Sequence, residues 1–133
     1  MTEKTLSIIK PDAVERNLEE KIRLFLEKNN LKILSSKKVK ISNEEASEFY
    51  KVHQTKPFYK DLCNYLSSGP IVVIVLEGEN AVLKYRELMG TTDPQKAEEG
   101  TLRKMYGLSI DKNSVHGSDS IENAQLEIKF FFK

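Results

Sequence analysis

The sequence predicts an α+β fold: a four-stranded antiparallel sheet with helices packed on it. Two observations predict it. Short segments of strand character alternate with segments whose apolar residues recur at helical spacing. One strand segment, Ile71 to Leu76, is a continuous apolar run rich in β-branched residues, the mark of a central strand buried on both faces. The full order is strand, helix, strand, helices, strand, helix, long loop, short strand, helix. This split βαβ pattern corresponds to a ferredoxin-like sandwich.

The elements follow in order. Thr5 to Lys10 reads as the first strand, closed by Pro11-Asp12. Leu18, Ile22, Phe25 and Leu26 then fall on one helical face, and Asn29-Asn30 is a stop signal. Leu31 to Ile41 alternates at Leu31, Ile33, Val39 and Ile41, with Leu34 out of phase. Its lysines at 32, 37, 38 and 40 mark an edge strand, where charge discourages unwanted pairing. Ser42-Asn43-Glu44-Glu45 fits a capping box, so a helix starts there. Ala46, Phe49, Tyr50 and His53 share one face of it. A second short helix holds Phe58, Leu62, Tyr65 and Leu66 and ends at Gly69-Pro70. After the central strand, Val82, Tyr85, Leu88 and Met89 mark a helix stopped by Gly90. Thr91 to Ser114 is longer than an ordinary connection, and such loops often carry function. It contains one short helical candidate near Thr101 to Tyr106. A short strand is expected at His116. Asp119 to Glu122 supplies a capping signal for a last helix over Ile121 to Phe131.

Composition narrows the functional classes. The 133 residues carry 21 Lys plus Arg and 20 Asp plus Glu, a net charge of +1. That balance argues against a general nucleic-acid binder. A chain of this length can bury about two-thirds of its surface, enough for one core, and no linker divides it, so residues 1–133 read as a single domain. The lone cysteine, Cys63, has no internal disulfide partner, and two separated histidines give no zinc spacing. Leu6 to Ile9 is too short for a signal-peptide core, and no apolar run is long enough to span a membrane. A cytoplasmic location is the expectation.

The chain lacks both a P-loop and a GxGxxG fingerprint, so any phosphate site must be built from side chains. The candidates are Lys10 at the end of the first strand, Arg86 on the helix before Gly90, Thr91 or Thr92, and Arg103. Arginine forks suit phosphate oxygens because they are planar and always charged. His116 lies among small and polar residues just before a helix, and Glu127 follows about two turns into that helix. If the helix folds back, the carboxylate orients the imidazole, which can then serve as base or nucleophile. The local context also allows a hydrogen-bonded structural histidine. His53 likewise fits either a core-edge position or a phosphate contact. Phe58 reads by itself as a core aromatic and Cys63 as a small buried hydrophobe.

Taken together these segments resemble the nucleoside diphosphate kinase family, nearly end to end, from about Lys4 to Phe132. Asn113-x-x-His116-Gly117-Ser118-Asp119-Ser120 looks like the family's active-site motif. Thr5 to Val14 resembles its opening strand. Phe49-Tyr50-x-x-His53 and Lys56-Pro57-Phe58 resemble its nucleotide-binding helices. Ser68-Gly69-Pro70, Arg86-x-x-Met89-Gly90-x-Thr92-Asp93-Pro94 and Gly100-Thr101-x-Arg103 complete the set.

The resemblance implies a ping-pong transfer of the γ-phosphate of a nucleoside triphosphate, through a phosphohistidine at His116, to a nucleoside diphosphate. It implies ATP and other nucleoside tri- and diphosphates as partners, and a role in balancing nucleotide pools. By similarity Glu127 holds the imidazole and Ser118 supports Glu127. Arg86, Arg103, Thr92 and His53 contact the phosphates. Lys10 and Asn113 reach the sugar hydroxyls, with Lys10 also near the phosphates. Tyr50 buttresses the site beside Lys10, and Phe58 and Ile110 clamp the base. Mg²⁺ rides on the nucleotide phosphates rather than in a protein cage. A stacking clamp with few polar contacts implies broad base tolerance and no preference between ribose and deoxyribose. The resemblance also implies a homo-oligomer, a hexamer or tetramer built from dimers. The competing reading, a regulatory module that binds nucleotides without turnover, has no need of the His116–Glu127 pair.

Overall fold

The structure, a computed structural model, describes residues 2–51, 54–57, 59–109 and 112–132. The elements are β1 (Thr2–Ile9), α1 (Pro11–Glu15), α2 (Glu19–Lys28), β2 (Lys32–Val39), α3 (Asn43–Phe49), α4 (Tyr59–Leu66), β3 (Ile71–Glu79), α5 (Ala81–Met89), α6 (Leu102–Tyr106), β4 (Val115–Gly117) and α7 (Ile121–Phe131). The sheet order is β2-β3-β1-β4 and every pairing is antiparallel. The expected four-stranded sheet is therefore present. β1 and β2 run in the same direction with β3 between them, and β3 and β4 do so with β1 between them.

Alternation along the strands divides the core. Ile9 of β1 and Val72, Ile74 and Leu76 of β3 pack with Ile22 and Leu26 of α2 and Tyr85 and Met89 of α5. Leu6 and Ile8 of β1 and Ile71 and Val73 of β3 pack instead with Ala46 of α3, Cys63 and Leu66 of α4 and Phe131 of α7. Helices thus cover both faces. β3 is buried along its apolar run, as expected of a strand in the middle of the sheet. β2 lies at the edge and is exposed at most positions. A register irregularity between Ile33 and Ser35 explains why Leu34 breaks the alternation.

Two expectations need correction. Pro11-Asp12 ends the strand, but Pro11 also opens the short helix α1, which was not anticipated. Its ring fixes φ at a helical value, and its missing N–H is not needed in a first turn. α3 ends at Phe49 with Tyr50 as its C-cap, so the face expected at Ala46, Phe49 and Tyr50 leaves the helix at Tyr50, and His53 lies outside the described residues. The last helix has the bounds expected, and its cap lies inside the expected signal: Ser120, whose hydroxyl accepts the Asn123 N–H. The capping box at Ser42 is present in full, with both reciprocal bonds to Glu45.

Candidate active site

His116 sits on the three-residue strand β4 and pairs with Ile8 of β1. Its side chain therefore projects to the face that Ile8 occupies, under α3 and α7. Because Ser120 starts α7 close behind β4, Glu127 comes round to face the imidazole two turns later. His116 Nε2 donates to Glu127 Oε1 at 3.0 Å, and Ser118 Oγ donates to the same oxygen at 2.8 Å. A carboxylate oxygen only accepts, so Nε2 carries a hydrogen and, in the neutral ring, Nδ1 holds the lone pair. Phe49 packs edge-on to the imidazole at 5.3 Å between centroids, and Tyr50 lies at 6.2 Å. The ring is thus gripped on one nitrogen and flanked by aromatics.

Tyr50 is buried. Burial, helped by the negative charge of Glu127, pushes its phenol well above the usual tyrosine range, so it remains an O–H at working pH.

Gly117 follows His116 on the opposite face, where a Cβ would lie 2.7 Å from both Met89 Cε and Tyr85 Cδ2. Only a glycine lets α5 approach β4 this closely. Tyr85 is fixed in turn by a 2.6 Å hydrogen bond it shares with Ser7.

A second group converges at the end of β1. Lys10, nearly buried, donates from Nζ to Asn113 Oδ1 at 2.9 Å, and Asn113 Nδ2 donates to the Thr92 carbonyl at 3.1 Å. Arg103 lies on α6 and donates from Nη1 to the Gly90 carbonyl and from Nη2 to the Val115 carbonyl, each at 3.0 Å. Gly90 caps α5 at φ +85°, a conformation natural to glycine. Arg103 Nε is buried with no hydrogen-bond partner among the described residues. Burial lowers the pKa of this guanidinium, and the nearby positive charge of Arg86 adds to the effect. Two of its five N–H donors are thus bound to backbone, one at the end of α5 and one at the residue before the histidine.

The structure brings His116, Glu127, Ser118 and Tyr50 into one cluster, and Lys10, Asn113 and Thr92 into a second. Arg103 ties α6 to the strand that carries His116. Arg86 is exposed on α5, close enough to act electrostatically on Arg103 and Asp119. His53, Phe58 and Ile110, the remaining expected nucleotide contacts, lie outside the described residues. Sequence reasoning overlooked two neighbours of the histidine. Phe49 stands in the Phe49-Tyr50-x-x-His53 motif, but the sequence gives it no role of its own beside the imidazole. Asp119 belongs to the active-site motif and to a helix signal, but the sequence assigns its carboxylate no role. A hydrogen bond from Asn123 holds its carboxyl below the usual aspartate range, and the positive charge of Arg86 reinforces this.

Comparison with known proteins supplies the context for this geometry. A family model described as nucleoside diphosphate kinase matches residues 3–133. The chain belongs to the nucleoside diphosphate kinase family. A nucleoside diphosphate kinase of Persephonella marina is 55% identical over 130 residues, covering 98% of this chain and 93% of the relative. A crystal structure of the Aquifex aeolicus nucleoside diphosphate kinase superposes with a TM-score of 0.98 at 40% identity, covering 100% of this chain and 96% of the other. The nucleoside diphosphate kinase of Halobacterium salinarum, solved in complex with CDP, superposes with a TM-score of 0.95 at 39% identity, covering 100% and 89%. As a nucleoside diphosphate kinase, the chain binds nucleoside di- and triphosphates. It moves a terminal phosphate between them by a ping-pong route through a phosphohistidine.

Proposed function

We propose that His116 Nδ1 is the phosphate acceptor of this kinase. The supporting observation is the 3.0 Å bond from Nε2 to Glu127, which leaves the lone pair on the other ring nitrogen. In the first half-reaction Nδ1 attacks the γ-phosphorus. The P–Nδ1 bond forms as the bond to the β–γ bridging oxygen breaks, and the nucleoside diphosphate leaves with that oxygen. In the second half-reaction a terminal oxygen of another nucleoside diphosphate attacks the same phosphorus and Nδ1 is the leaving group. No proton transfer to or from the ring is needed in a ring already held as the Nε2–H tautomer. Glu127 balances the positive charge that the ring gains on phosphorylation, and Ser118 keeps the carboxylate aimed.

Arg86, Arg103, Thr92 and His53 take the phosphates, Lys10 and Asn113 the sugar hydroxyls, and Phe58 and Ile110 the base. Tyr50 closes the wall beside Lys10. The side chains read as phosphate and sugar contacts are cations, an amide and a hydroxyl rather than carboxylates, so Mg²⁺ would be held by the phosphate oxygens of the nucleotide, where it would supply charge neutralisation for phosphoryl transfer. The clamp holds any base by its face, which gives broad tolerance of base and of ribose or deoxyribose and suits the enzyme to balancing nucleotide pools. The chain acts as one catalytic domain, residues 1–133, within a homo-oligomer of dimers, a hexamer or tetramer, in the cytoplasm.

The test is incubation with γ-labelled ATP and Mg²⁺, followed by acid and base stability of the label. Wild type takes up acid-labile, base-stable label and passes it to an added nucleoside diphosphate. His116→Ala takes up none. Equal labelling of the variant sinks the proposal. Glu127→Gln slows transfer about 10- to 100-fold with little change in nucleotide affinity. An unchanged rate removes Glu127 from the mechanism.

A further inference from the structure

Ser114 occupies one of the two unspecified positions of the Asn113-x-x-His116 motif, and its backbone is unusual. Its φ is +75°, in the left-handed region that non-glycine residues rarely adopt. Such a conformation persists only where the surroundings over-determine it. Here the side chain is completely buried and held at several points. The Ser114 carbonyl accepts the Lys10 backbone N–H at 2.8 Å. Its Oγ donates to Asp12 Oδ2 at 3.0 Å and accepts from Arg16 Nη2 at 3.3 Å.

Asp12 is itself the centre of a network. Its carboxylate is nearly buried, on the first turn of α1. Oδ1 accepts the Tyr65 phenol from α4, and the Asp12 N–H donates to the same phenol oxygen at 2.8 Å. Arg16 pairs with Oδ2 at 3.1 Å and also donates to the Tyr106 carbonyl at the end of α6. Burial and the Asp12 hydrogen bond raise the Tyr65 pKa, which keeps it a donor to the carboxylate. One carboxylate thereby joins α1, α4, α6 and the loop before β4. Ser114 links this network to the Lys10 cluster twice: its carbonyl accepts the Lys10 backbone N–H, and it is bonded through the chain to Asn113, whose amide oxygen meets Lys10 Nζ.

We propose that Asp12 is a positioning residue for sugar recognition: through Ser114 it holds Asn113 against Lys10, where the pair meets the 3′-hydroxyl of the acceptor nucleotide. The inference rests on the reading of Lys10 and Asn113 as sugar contacts. The 3′-hydroxyl is the relevant one because ribose and deoxyribose share it and are expected to be used alike.

The experiment compares kcat/KM for ADP and for its 2′,3′-dideoxy analogue as phosphate acceptors. Asp12→Asn and Ser114→Ala each lower the value for ADP tenfold or more and change that for the analogue less than threefold, so the preference for the natural sugar collapses. Asn113→Ala, measured alongside, shows the same collapse. The double variant Asp12→Asn/Ser114→Ala loses less than the product of the two single losses, because both changes act on the Asp12–Ser114 bond. If Asp12→Asn and Ser114→Ala depress both acceptors equally while Asn113→Ala collapses the preference, Asp12 is only a structural residue and the proposal is overturned, while the sugar reading stands. If Asn113→Ala itself depresses both equally, the sugar reading fails and takes the proposal with it. Should Asp12→Asn not fold, Ser114→Ala, which removes only a hydroxyl, decides the matter.

Discussion

Glu127 Oε1 receives two donors, and the difference between them defines their separate roles. The bond from His116 Nε2 selects the tautomer, whereas the bond from Ser118 only aims the carboxylate. Ser118→Ala should therefore cost less than Glu127→Gln: kcat falls about 3- to 10-fold, KM is unchanged, and steady-state kinetics with ATP and a diphosphate acceptor read the difference. Asp119 gives a pH signature. Its folded pKa is depressed, so its contribution to stability is present above the ordinary aspartate value of about 3.9 and is lost as pH falls through the lower folded value. NMR titration should place the Asp119 midpoint below that ordinary value, and Asn123→Ala should move it back up. A midpoint unaffected by Asn123→Ala would show that the amide is not the cause. At this scale the sequence revealed only what is local or carried by a motif. His116 and Glu127 are 11 residues apart and joined by one helix, so spacing alone brought them together. Asp12 and Ser114 are 102 residues apart, and no periodicity links them.

The elements whose boundaries were legible are those with their own punctuation. Ser42 and Glu45 form the expected capping box, Asn30 follows α2 at φ +67°, and Gly90 closes α5 at φ +85°. Ser42→Ala removes the hydroxyl that accepts the Glu45 N–H and should lower stability by about 0.5–2 kcal/mol, measured by urea denaturation. Ser42→Thr should retain most of that stability. An alanine variant as stable as wild type would mean that tertiary packing alone sets the start of α3. Less legible were the elements defined by a neighbour. α1 is too short to show periodicity, and Pro11 serves both as the end of β1 and as the first residue of a helix. α3 stops at Phe49 although apolar spacing continues to Tyr50, which is the C-cap and is buried beside the histidine. That outcome depends on what lies beneath the helix, which a local pattern does not contain.

The whole molecule is organised by strand parity, and parity separates chemistry from support. Even-numbered Leu6 and Ile8 of β1 share a face with His116, while Ile9 of β1 and Val72, Ile74 and Leu76 of β3 face α2 and α5. Ile74 is fully buried and lies on the far side of the sheet from the imidazole. Ile74→Ala opens a cavity in a close-packed interior and should cost about 2–5 kcal/mol. It touches neither His116 nor Glu127, so kcat per folded molecule should stay within about twofold of wild type at a temperature where the variant is folded. Gly117→Ala acts differently, since its added methyl meets Tyr85 and Met89 across the strand that carries the histidine. Overpacking there should cost about 1–3 kcal/mol, and relief of the clash by movement of β4 should also disturb the His116–Glu127 bond. The paired measurement is a denaturation curve and a kcat for each variant. Ile74→Ala should separate the two quantities, with stability lost and rate kept. Gly117→Ala should lower both, because β4 has only three residues and cannot absorb a displacement along its length. If Gly117→Ala loses stability but retains the full rate, the close approach of α5 to β4 supports the fold without setting the position of His116.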